Sequence, residues 1–143
     1  FGLSVEVASP TDIDERIEVI RRRDAYETDP ETFLGTWGAE DARLRERITA
    51  GQARLGKIET PEATLRSCAE LCLALGADGL RGELTLLRTA RALAAFEEAD
   101  AVDIAHVRAI APSALRHRLR RDPLDEAGST ARVTRVIDEV LPA

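Results

Sequence analysis

Apolar residues recur every three or four positions through most of this chain, a spacing that puts them on one face of an α-helix. The exception is the opening stretch, 1–7, in which apolar residues alternate with polar or small ones at the period of a β-strand. Residues that favour helix ends separate the helical stretches: Ser9 with Pro10, Asp29 with Pro30, Thr60 with Pro61, Gly76, and Asp103. The sequence therefore predicts a mainly α chain with a single strand at its start.

Six helices are expected after the strand. The first begins at Ser9 and Pro10, and the second, after Asp29, carries a heptad seam about 25 residues long that Gly35 and Gly38 interrupt only softly. The seam consists of Phe33, Trp37, Leu44, Ile48 and Leu55. The third helix follows Pro61, the fourth covers 81–96, Asp103 caps the fifth, which Pro112 should bend, and Ser129 or Thr130 caps the last. The residues expected to face inward are Leu65, Cys68, Leu71, Cys72 and Leu75 on the third helix, and Leu84, Leu87, Leu93 and Phe96 on the fourth. On the fifth helix they are Val107, Ile110 and Leu115, and on the last they are Val133, Val136, Ile137 and Val140.

The size and composition suit one sizeable core, with 143 residues of which 44% are hydrophobic. A lone strand needs sheet partners and the chain has no Met, so we expect it to be a piece of a longer protein, cut within an α/β domain. No stretch of about 20 apolar residues predicts a membrane span. The net charge of -6 argues against nucleic acid as a partner.

The charge is unevenly spread, since 106–121 holds five arginines and no acidic residue. These arginines are Arg108, Arg116, Arg118, Arg120 and Arg121. We expect the last four to meet an acidic surface of the same protein or of a partner; a solvated helix end is the alternative.

Residues 51–57 (GQARLGK) match the phosphate-binding pattern G-x-x-x-x-G-K. Ile58 replaces the Ser or Thr that holds magnesium in that loop, and a helical heptad precedes it where a strand is required. We therefore interpret this segment as the end of a helix followed by a turn.

Three further groups of reactive residues each have a structural interpretation that we prefer. Cys68 and Cys72 share an apolar helix face and are expected to be buried free thiols. His106 and His117 lack a recognisable nucleophile or carboxylate arrangement, and are expected to be ordinary helix-face residues. The acidic cluster of Asp122, Asp125 and Glu126 fits a solvated loop better than a magnesium site.

The junction before the fourth helix is more informative. Arg81 lies in the first helical turn between Gly79 and Gly82, and glycines let another backbone approach closely. An arginine at this place suits an anion contact, and a solvated arginine remains the alternative.

Three stretches carry a resemblance to a known family: 16–33 (RIEVIRRRDAYETDPETF), 78–96 (DGLRGELTLLRTARALAAF) and 115–129 (LRHRLRRDPLDEAGS). They resemble the C-terminal part of the AAA+ ATPase subunit of magnesium chelatase, the enzyme that inserts Mg2+ into protoporphyrin IX in chlorophyll and bacteriochlorophyll synthesis. The last two stretches distinguish this family from the related MoxR-type ATPases.

The resemblance implies that 1–28 forms the C-terminal end of an α/β nucleotide-binding core, namely its final strand and helix. It implies that 29–143 forms an α-helical lid, a helical bundle that includes the long heptad helix as an inserted element. Arg81 would be the sensor-2 arginine, which contacts the γ-phosphate of ATP. ATP and Mg2+ would be the cofactors of the full-length subunit, with most of their site upstream, so this chain alone is expected to be inactive.

The same resemblance implies a homo-oligomeric ring in the bacterial cytoplasm. Its partners would be a second AAA+ subunit and a large porphyrin-binding subunit. Two alternatives remain: a helical module whose seam and basic stretch bind a protein partner, and the lid of another, MoxR-like AAA+ ATPase. A phosphate-binding loop encoded before Phe1 would distinguish the motor fragment from the interaction module.

Overall fold

The computed structural model describes residues 1–77, 79–119 and 129–141. Its elements are α1 (Ile13–Thr28), α2 (Pro30–Arg54), α3 (Glu62–Leu75), α4 (Arg81–Phe96), α5 (Ile104–Leu115) and α6 (Ser129–Val140), with short 3-10 turns at Leu55–Lys57 and Arg116–Arg118. The mainly α prediction is confirmed. The chain divides into two compact units, one of Phe1–Val5 with Ala50–Ala143 and one of Glu6–Thr49. No helix among the described residues is long and apolar enough to cross a membrane.

The strand expected over 1–7 does not form, and this part of the prediction is wrong. A strand needs a neighbour that pairs with its backbone, and the described residues hold only an isolated bridge between Glu59 and Ala101. Instead, the backbone N–H of Ser4 donates to the carbonyl of Ser113 at 2.8 Å. The side chain of Phe1 and that of Val7 are fully or almost fully exposed.

The first helix begins later than expected. Asp12, not Ser9, is its cap: the Asp12 carboxylate accepts the backbone N–H of Glu15 at 2.9 Å, and α1 starts at Ile13. The expected start of α2 is confirmed, because the Asp29 carboxylate accepts the hydroxyl of Thr32 at 2.7 Å and its N–H at 3.1 Å. These bonds favour the charged form and lower the pKa of Asp29, the hydroxyl of Thr32 contributing most.

The long second helix has 25 residues and runs through Gly35 and Gly38 without a break. Of its expected seam, Phe33 and Trp37 are half-buried within the unit Glu6–Thr49, whereas Leu44 and Ile48 are exposed. The ring of Phe33 lies 6.1 Å from that of Trp37, which also contacts the guanidinium of Arg22 at 4.3 Å. Leu55 lies beyond the end of α2, in the 3-10 turn.

The core of the other unit is formed by α3, α4, α5 and α6. Its largest fully buried side chains are Leu71, Leu75, Leu86, Leu115, Val102, Val107, Val133, Cys68 and Cys72. The predicted inner face of α3 is confirmed except at Leu65, which is exposed; Thr64 is buried instead and donates its hydroxyl to the carbonyl of Val102 at 3.0 Å.

The bounds predicted for α4 are confirmed, but its predicted inner face is wrong. The buried residues are Gly82, Leu86, Ala90, Ala94 and Ala95. Leu84 is exposed, while Leu87, Leu93 and Phe96 are only half-buried. The small residues face inward because α4 packs closely along α5, and a periodicity argument that weighs large apolar residues misses such a face.

Helix ends within this unit mostly follow the sequence signals. Gly76 ends α3 in the left-handed conformation, with φ of 66°. Asp103 caps α5, which continues past Pro112 to Leu115. α6 begins at Ser129, so the two residues expected to cap it lie inside its first turn. The expected loop 121–128, with Asp122, Asp125 and Glu126, and the residues Arg120 and Arg121 lie outside the described residues.

Candidate functional site

The start of α4 presents Arg81 to solvent. Gly79 has a φ of 69°, a left-handed conformation that favours glycine, and it turns the chain into the helix. Leu80 occupies the cap position without any side-chain hydrogen bond to the first helical N–H groups. A helix start without such a cap leaves backbone donors and the positive end of the helix dipole available to an anion, next to an exposed guanidinium.

Within the described part of the chain, no neighbouring group compensates the charge of Arg81. Among the described residues, no carboxylate lies within ion-pair distance of the Arg81 side chain, and no side chain accepts a hydrogen bond from it. Its neighbours Leu80 and Leu84 are 75% and 48% exposed. Glu83, in the same turn, is half-buried instead, and one of its carboxylate oxygens is buried without a hydrogen-bond partner in the described part of the chain. The exposed face of this turn is therefore cationic.

The glycines around Arg81 do not act as the sequence predicted. No heavy atom outside its neighbours lies within 4 Å of a Cβ built on Gly79. A Cβ on Gly82 would meet side chains at ordinary distances, with Ala77 at 3.5 Å and Cys72 at 3.6 Å. Gly79 thus provides a backbone conformation and Gly82 lies in the core. Among the described residues, no backbone makes the close approach that the two glycines were expected to allow.

The segment that resembles a phosphate-binding loop is the end of α2 followed by the turn Leu55–Lys57, as interpreted from the sequence. The close approach of another backbone is found here: a Cβ on Gly51 would lie 3.3 Å from the backbone of Phe96. Gly51 is therefore a packing position of the helical unit and not part of a phosphate cradle.

The two cysteines are free thiols in the core, as expected. Cys68 is 2% exposed and Cys72 is fully buried. Burial, with a smaller contribution from the negative charge of Glu83, raises the pKa of Cys68 to about 11 and that of Cys72 to about 12. Thiols with such pKa values stay protonated at neutral pH and are poor nucleophiles.

The two histidines differ from each other. His106 is buried and completes a capping box with Asp103, so the expectation of an ordinary helix-face residue is wrong for it. Its ring also lies 3.3 Å from the carboxylate of Glu97. His117 is exposed, with its ring nitrogen 3.3 Å from the carbonyl oxygen of Phe1.

The arginines after α5 bind main-chain carbonyls. Arg116, predicted to face an external acidic surface, is buried: its guanidinium donates to the carbonyl of Ser4 and, at 3.4 Å, to the Ser4 hydroxyl. Arg118 donates to the carbonyls of Phe1 at 3.2 Å and Gly2 at 3.3 Å. For Arg116 the prediction of an external surface is wrong, because its side chain is buried and donates to a carbonyl of the same unit. Sequence reasoning missed these contacts, and the absence of acidic residues from 106–121 was the one available signal.

Within 1–77, 79–119 and 129–141, no three His, Cys, Asp or Glu side chains lie close enough together to hold a metal ion. In the described residues the structure thus offers an exposed cation for an anion, but no cluster that would hold Mg2+.

Comparison with known proteins establishes the family. Residues 65–139, which include α4 and Arg81, match the AAA lid domain, so the chain belongs to the AAA lid domain family. The lid fold expected from the resemblance is therefore confirmed.

Individual relatives extend the likeness to nearly the whole chain. The Magnesium-chelatase 38 kDa subunits of Cereibacter sphaeroides and Rhodobacter capsulatus are 62% and 61% identical over 99% of this chain. An uncharacterized protein of Mycobacterium tuberculosis is 44% identical over 90% of it. The chain spans 42%, 41% and 20% of the length of these three relatives. The resemblance to the magnesium chelatase ATPase subunit, stated from the sequence, is thus confirmed.

Proposed function

We propose that this chain is the lid-bearing, C-terminal part of the ATPase motor subunit of magnesium chelatase. The observation that carries the proposal is the 62% identity, over 99% of the chain, to the Magnesium-chelatase 38 kDa subunit of Cereibacter sphaeroides. In this function, ATP hydrolysis to ADP and phosphate drives insertion of Mg2+ into protoporphyrin IX for chlorophyll or bacteriochlorophyll synthesis. The chain contributes to this enzyme activity as part of a larger subunit.

Within that subunit, we assign 1–28 to the end of the α/β nucleotide-binding core and 29–143 to the helical lid. The subunit forms a homo-oligomeric ring in the cytoplasm. It works with a second AAA+ subunit and a large porphyrin-binding subunit. The exposed apolar residues Leu80 and Leu84 support this assignment, since a nucleotide-binding core that closes on the start of α4 would cover them.

Arg81 is the residue of this chain that we assign to ATP, as its sensor-2 arginine. The structure offers what such a contact needs: an exposed guanidinium without a carboxylate partner among the described residues, at a helix start whose N–H groups lack a side-chain cap. The bound nucleotide supplies the phosphoryl group that is transferred to water. The guanidinium of Arg81 would stabilise negative charge on that group and bring the lid toward the core. The remaining parts of the site, including those that hold Mg2+, belong to other regions of the subunit.

The experiment compares Arg81→Ala with Arg88→Ala in the full-length subunit at saturating ATP and Mg2+. Arg88 lies two turns further along α4, is exposed, and has no hydrogen bond or ion pair with a described residue. Arg91 is a poor control, because it is half-buried and donates to the hydroxyl of Thr60 at 2.9 Å. We expect Arg81→Ala to fold normally and to lose about 3 to 5 kcal/mol of transition-state stabilisation if the arginine acts directly on the transferred group.

Metal insertion by the assembled enzyme should fall together with ATP turnover. Arg88→Ala should retain both activities. Equal ATPase rates for the wild type and Arg81→Ala would refute the assignment of Arg81 and favour a solvated arginine.

A second candidate function is the lid of a different AAA+ ATPase, for instance a MoxR-like one. The 44% identity to the uncharacterized protein of Mycobacterium tuberculosis favours it, since that relative is not named as a chelatase. ATP hydrolysis without any magnesium insertion, measured with the full-length subunit and the partner subunits of a chelatase, would support this second candidate.

A further inference from the structure

The segment 1–4 is attached to the end of α5 by its main chain. The N–H of Ser4 donates to the carbonyl of Ser113 at 2.8 Å, and its carbonyl accepts from the buried Arg116. These contacts join positions more than 100 residues apart in the sequence. Because segment 1–4 takes part in these two bonds through backbone groups, the attachment does not depend on the side chain of Phe1.

Arg118 extends this attachment to α4. Its guanidinium group has four oxygen acceptors: the carbonyls of Ala114 at 3.0 Å, Phe1 at 3.2 Å and Gly2 at 3.3 Å, and the hydroxyl of Thr85 at 3.4 Å. The carbonyl of Ala114 belongs to the C-terminal turn of α5, where the helix dipole favours a cation. A planar guanidinium holds its donors in a fixed arrangement, whereas the three donors of a lysine ammonium rotate about one bond.

Thr85 connects Arg118 to the turn that carries Arg81. The Thr85 hydroxyl donates to the carbonyl of Arg81 at 2.8 Å and accepts from Arg118. Thr89, one turn further along, makes the equivalent bond to the carbonyl of Thr85 at 2.8 Å, but Arg118 donates to the hydroxyl of Thr85 and not to that of Thr89. A threonine within a helix commonly donates its hydroxyl to the carbonyl four residues earlier. Thr85 makes that bond, and its hydroxyl also accepts a hydrogen bond from Arg118.

We propose that Arg118 is a positioning residue that acts on Arg81 through Thr85. The guanidinium of Arg118 holds the first turn of α4 in a fixed position relative to segment 1–4. It thereby fixes the position of the Arg81 backbone, from which the Arg81 side chain extends. This inference rests on the proposed function for its catalytic consequence. The attachment itself does not depend on that function.

The first test measures the attachment without nucleotide, by amide hydrogen exchange in the full-length subunit. Arg118→Ala should speed exchange in a peptide covering 1–5 and in one covering the first turn of α4. Thr85→Val should speed exchange in the first turn of α4 only, since it leaves the contacts of Arg118 with Phe1 and Gly2 in place. Thr89→Val, the matched control, should change neither peptide. Unchanged exchange in Arg118→Ala would overturn the proposal.

The second test measures ATP turnover in a double-mutant cycle. Thr85→Val removes the hydroxyl but keeps the shape, and we expect it to lower kcat about three- to tenfold. Thr85→Ser restores the hydroxyl and should restore most of the rate, while Thr89→Val should stay near the wild type. If Thr85 acts through Arg81, the pair Arg81→Ala with Thr85→Val should be no slower than Arg81→Ala alone.

The outcomes separate this inference from the proposed function. If Arg81→Ala has no effect on ATP turnover, the function assigned to Arg81 fails, whatever the hydrogen exchange shows. If Arg81→Ala lowers ATP turnover, and the double variant with Thr85→Val loses the product of the two single losses in kcat, Thr85 acts independently of Arg81 and the inference fails. If Arg118→Ala does not fold, the Thr85 variants decide the same question, because they leave Arg118 in place.

Discussion

Asp103 and His106 cap the start of α5 reciprocally: the N–H of Asp103 donates to Nδ1 of His106 at 3.1 Å, and the N–H of His106 donates to the Asp103 carboxylate at 2.9 Å. Both bonds satisfy backbone donors that a helix start would otherwise leave unpaired. His106 is 6% exposed, whereas the side chain of Asp103 is 64% exposed, so the capping interaction is buried on the side of the histidine only. The buried histidine of this lid thus has a structural role.

Loss of this cap should destabilise the helical unit. We expect Asp103→Ala to lower the free energy of unfolding by about 1 kcal/mol, with about 2 kcal/mol as the upper end for such caps. Asp103→Asn keeps an acceptor at the same place and should lose much less. Chemical denaturation followed by far-UV circular dichroism measures both. Equal losses in the two variants would show that the charge of Asp103, and not its capping bond, is what stabilises the unit.

Two glycines of α2 provide a matched pair. A Cβ on Gly51 would lie 3.3 Å from the backbone of Phe96. A Cβ on Gly35 would meet no atom of the described residues within 4 Å, apart from its chain neighbours and the backbone of its own helix. Gly35→Ala should therefore strengthen the helix by as much as about 1 kcal/mol, since alanine favours helix more than glycine does. Gly51→Ala should instead destabilise by about 1 to 3 kcal/mol, because the backbone of Phe96 cannot easily move away. Thermal unfolding measures whether Gly35→Ala raises the stability and Gly51→Ala lowers it. A stabilised Gly51→Ala would contradict the close packing of Gly51 against Phe96.

The exposed apolar residues near the start of the chain support an expectation about association. The side chain of Val5 is 71% exposed and that of Val7 is 92% exposed. We expect the 143-residue chain to be helical by circular dichroism and to self-associate at high concentration. Val5→Ser with Val7→Ser should reduce the association measured by sedimentation. A wild-type chain that stays monomeric, with 1–7 ordered in a sheet of its own, would contradict this expectation.

Local signals in the sequence predicted most of the helices. The Asp29 cap, the left-handed Gly76 and the bounds of α4 depend on residues within a few positions of each helix end, and for these the prediction was confirmed. What failed depends on residues distant in sequence. The inner face of α4 follows from close packing on α5, and the conformation of 1–4 follows from Arg116, which lies 112 residues away from Ser4.

The same distinction between local signals and residues distant in sequence applies to the candidate site. Arg81 at an exposed helix start could be located from Gly79 and the following periodicity, since both are local. The link from Arg81 through Thr85 to Arg118 could not, because threonine has no distinctive spacing and its partner comes from another helix end. The absence of acidic residues around Arg118 showed only that its partners would be found elsewhere.

The buried thiols lead to a pH dependence whose sign follows from their pKa values. In the unfolded chain a cysteine ionises near its ordinary pKa of 9.0, while burial, together with the charge of Glu83, raises the folded values to about 11 for Cys68 and about 12 for Cys72. Between these values the unfolded state binds fewer protons than the folded state, so stability falls as pH rises. The thiol contribution is therefore fully present below pH 9 and is lost as pH rises from there through the folded pKa values.

The expected loss is about 2 to 3 kcal/mol by pH 10 for the two thiols together, from about 1.4 kcal/mol for each thiol and pH unit. Urea unfolding at pH 7 to 10 should show this decline in the wild type. The double variant Cys68→Ala with Cys72→Ala should be less stable than the wild type at neutral pH, because the substitutions leave cavities. Its free energy of unfolding should decline less between pH 9 and pH 10, by about the 2 to 3 kcal/mol that the thiols contribute. At pH 8, the native wild type should react slowly with a thiol reagent and the urea-unfolded chain quickly. Parallel pH curves for the two proteins would show that the thiols do not ionise with raised pKa values.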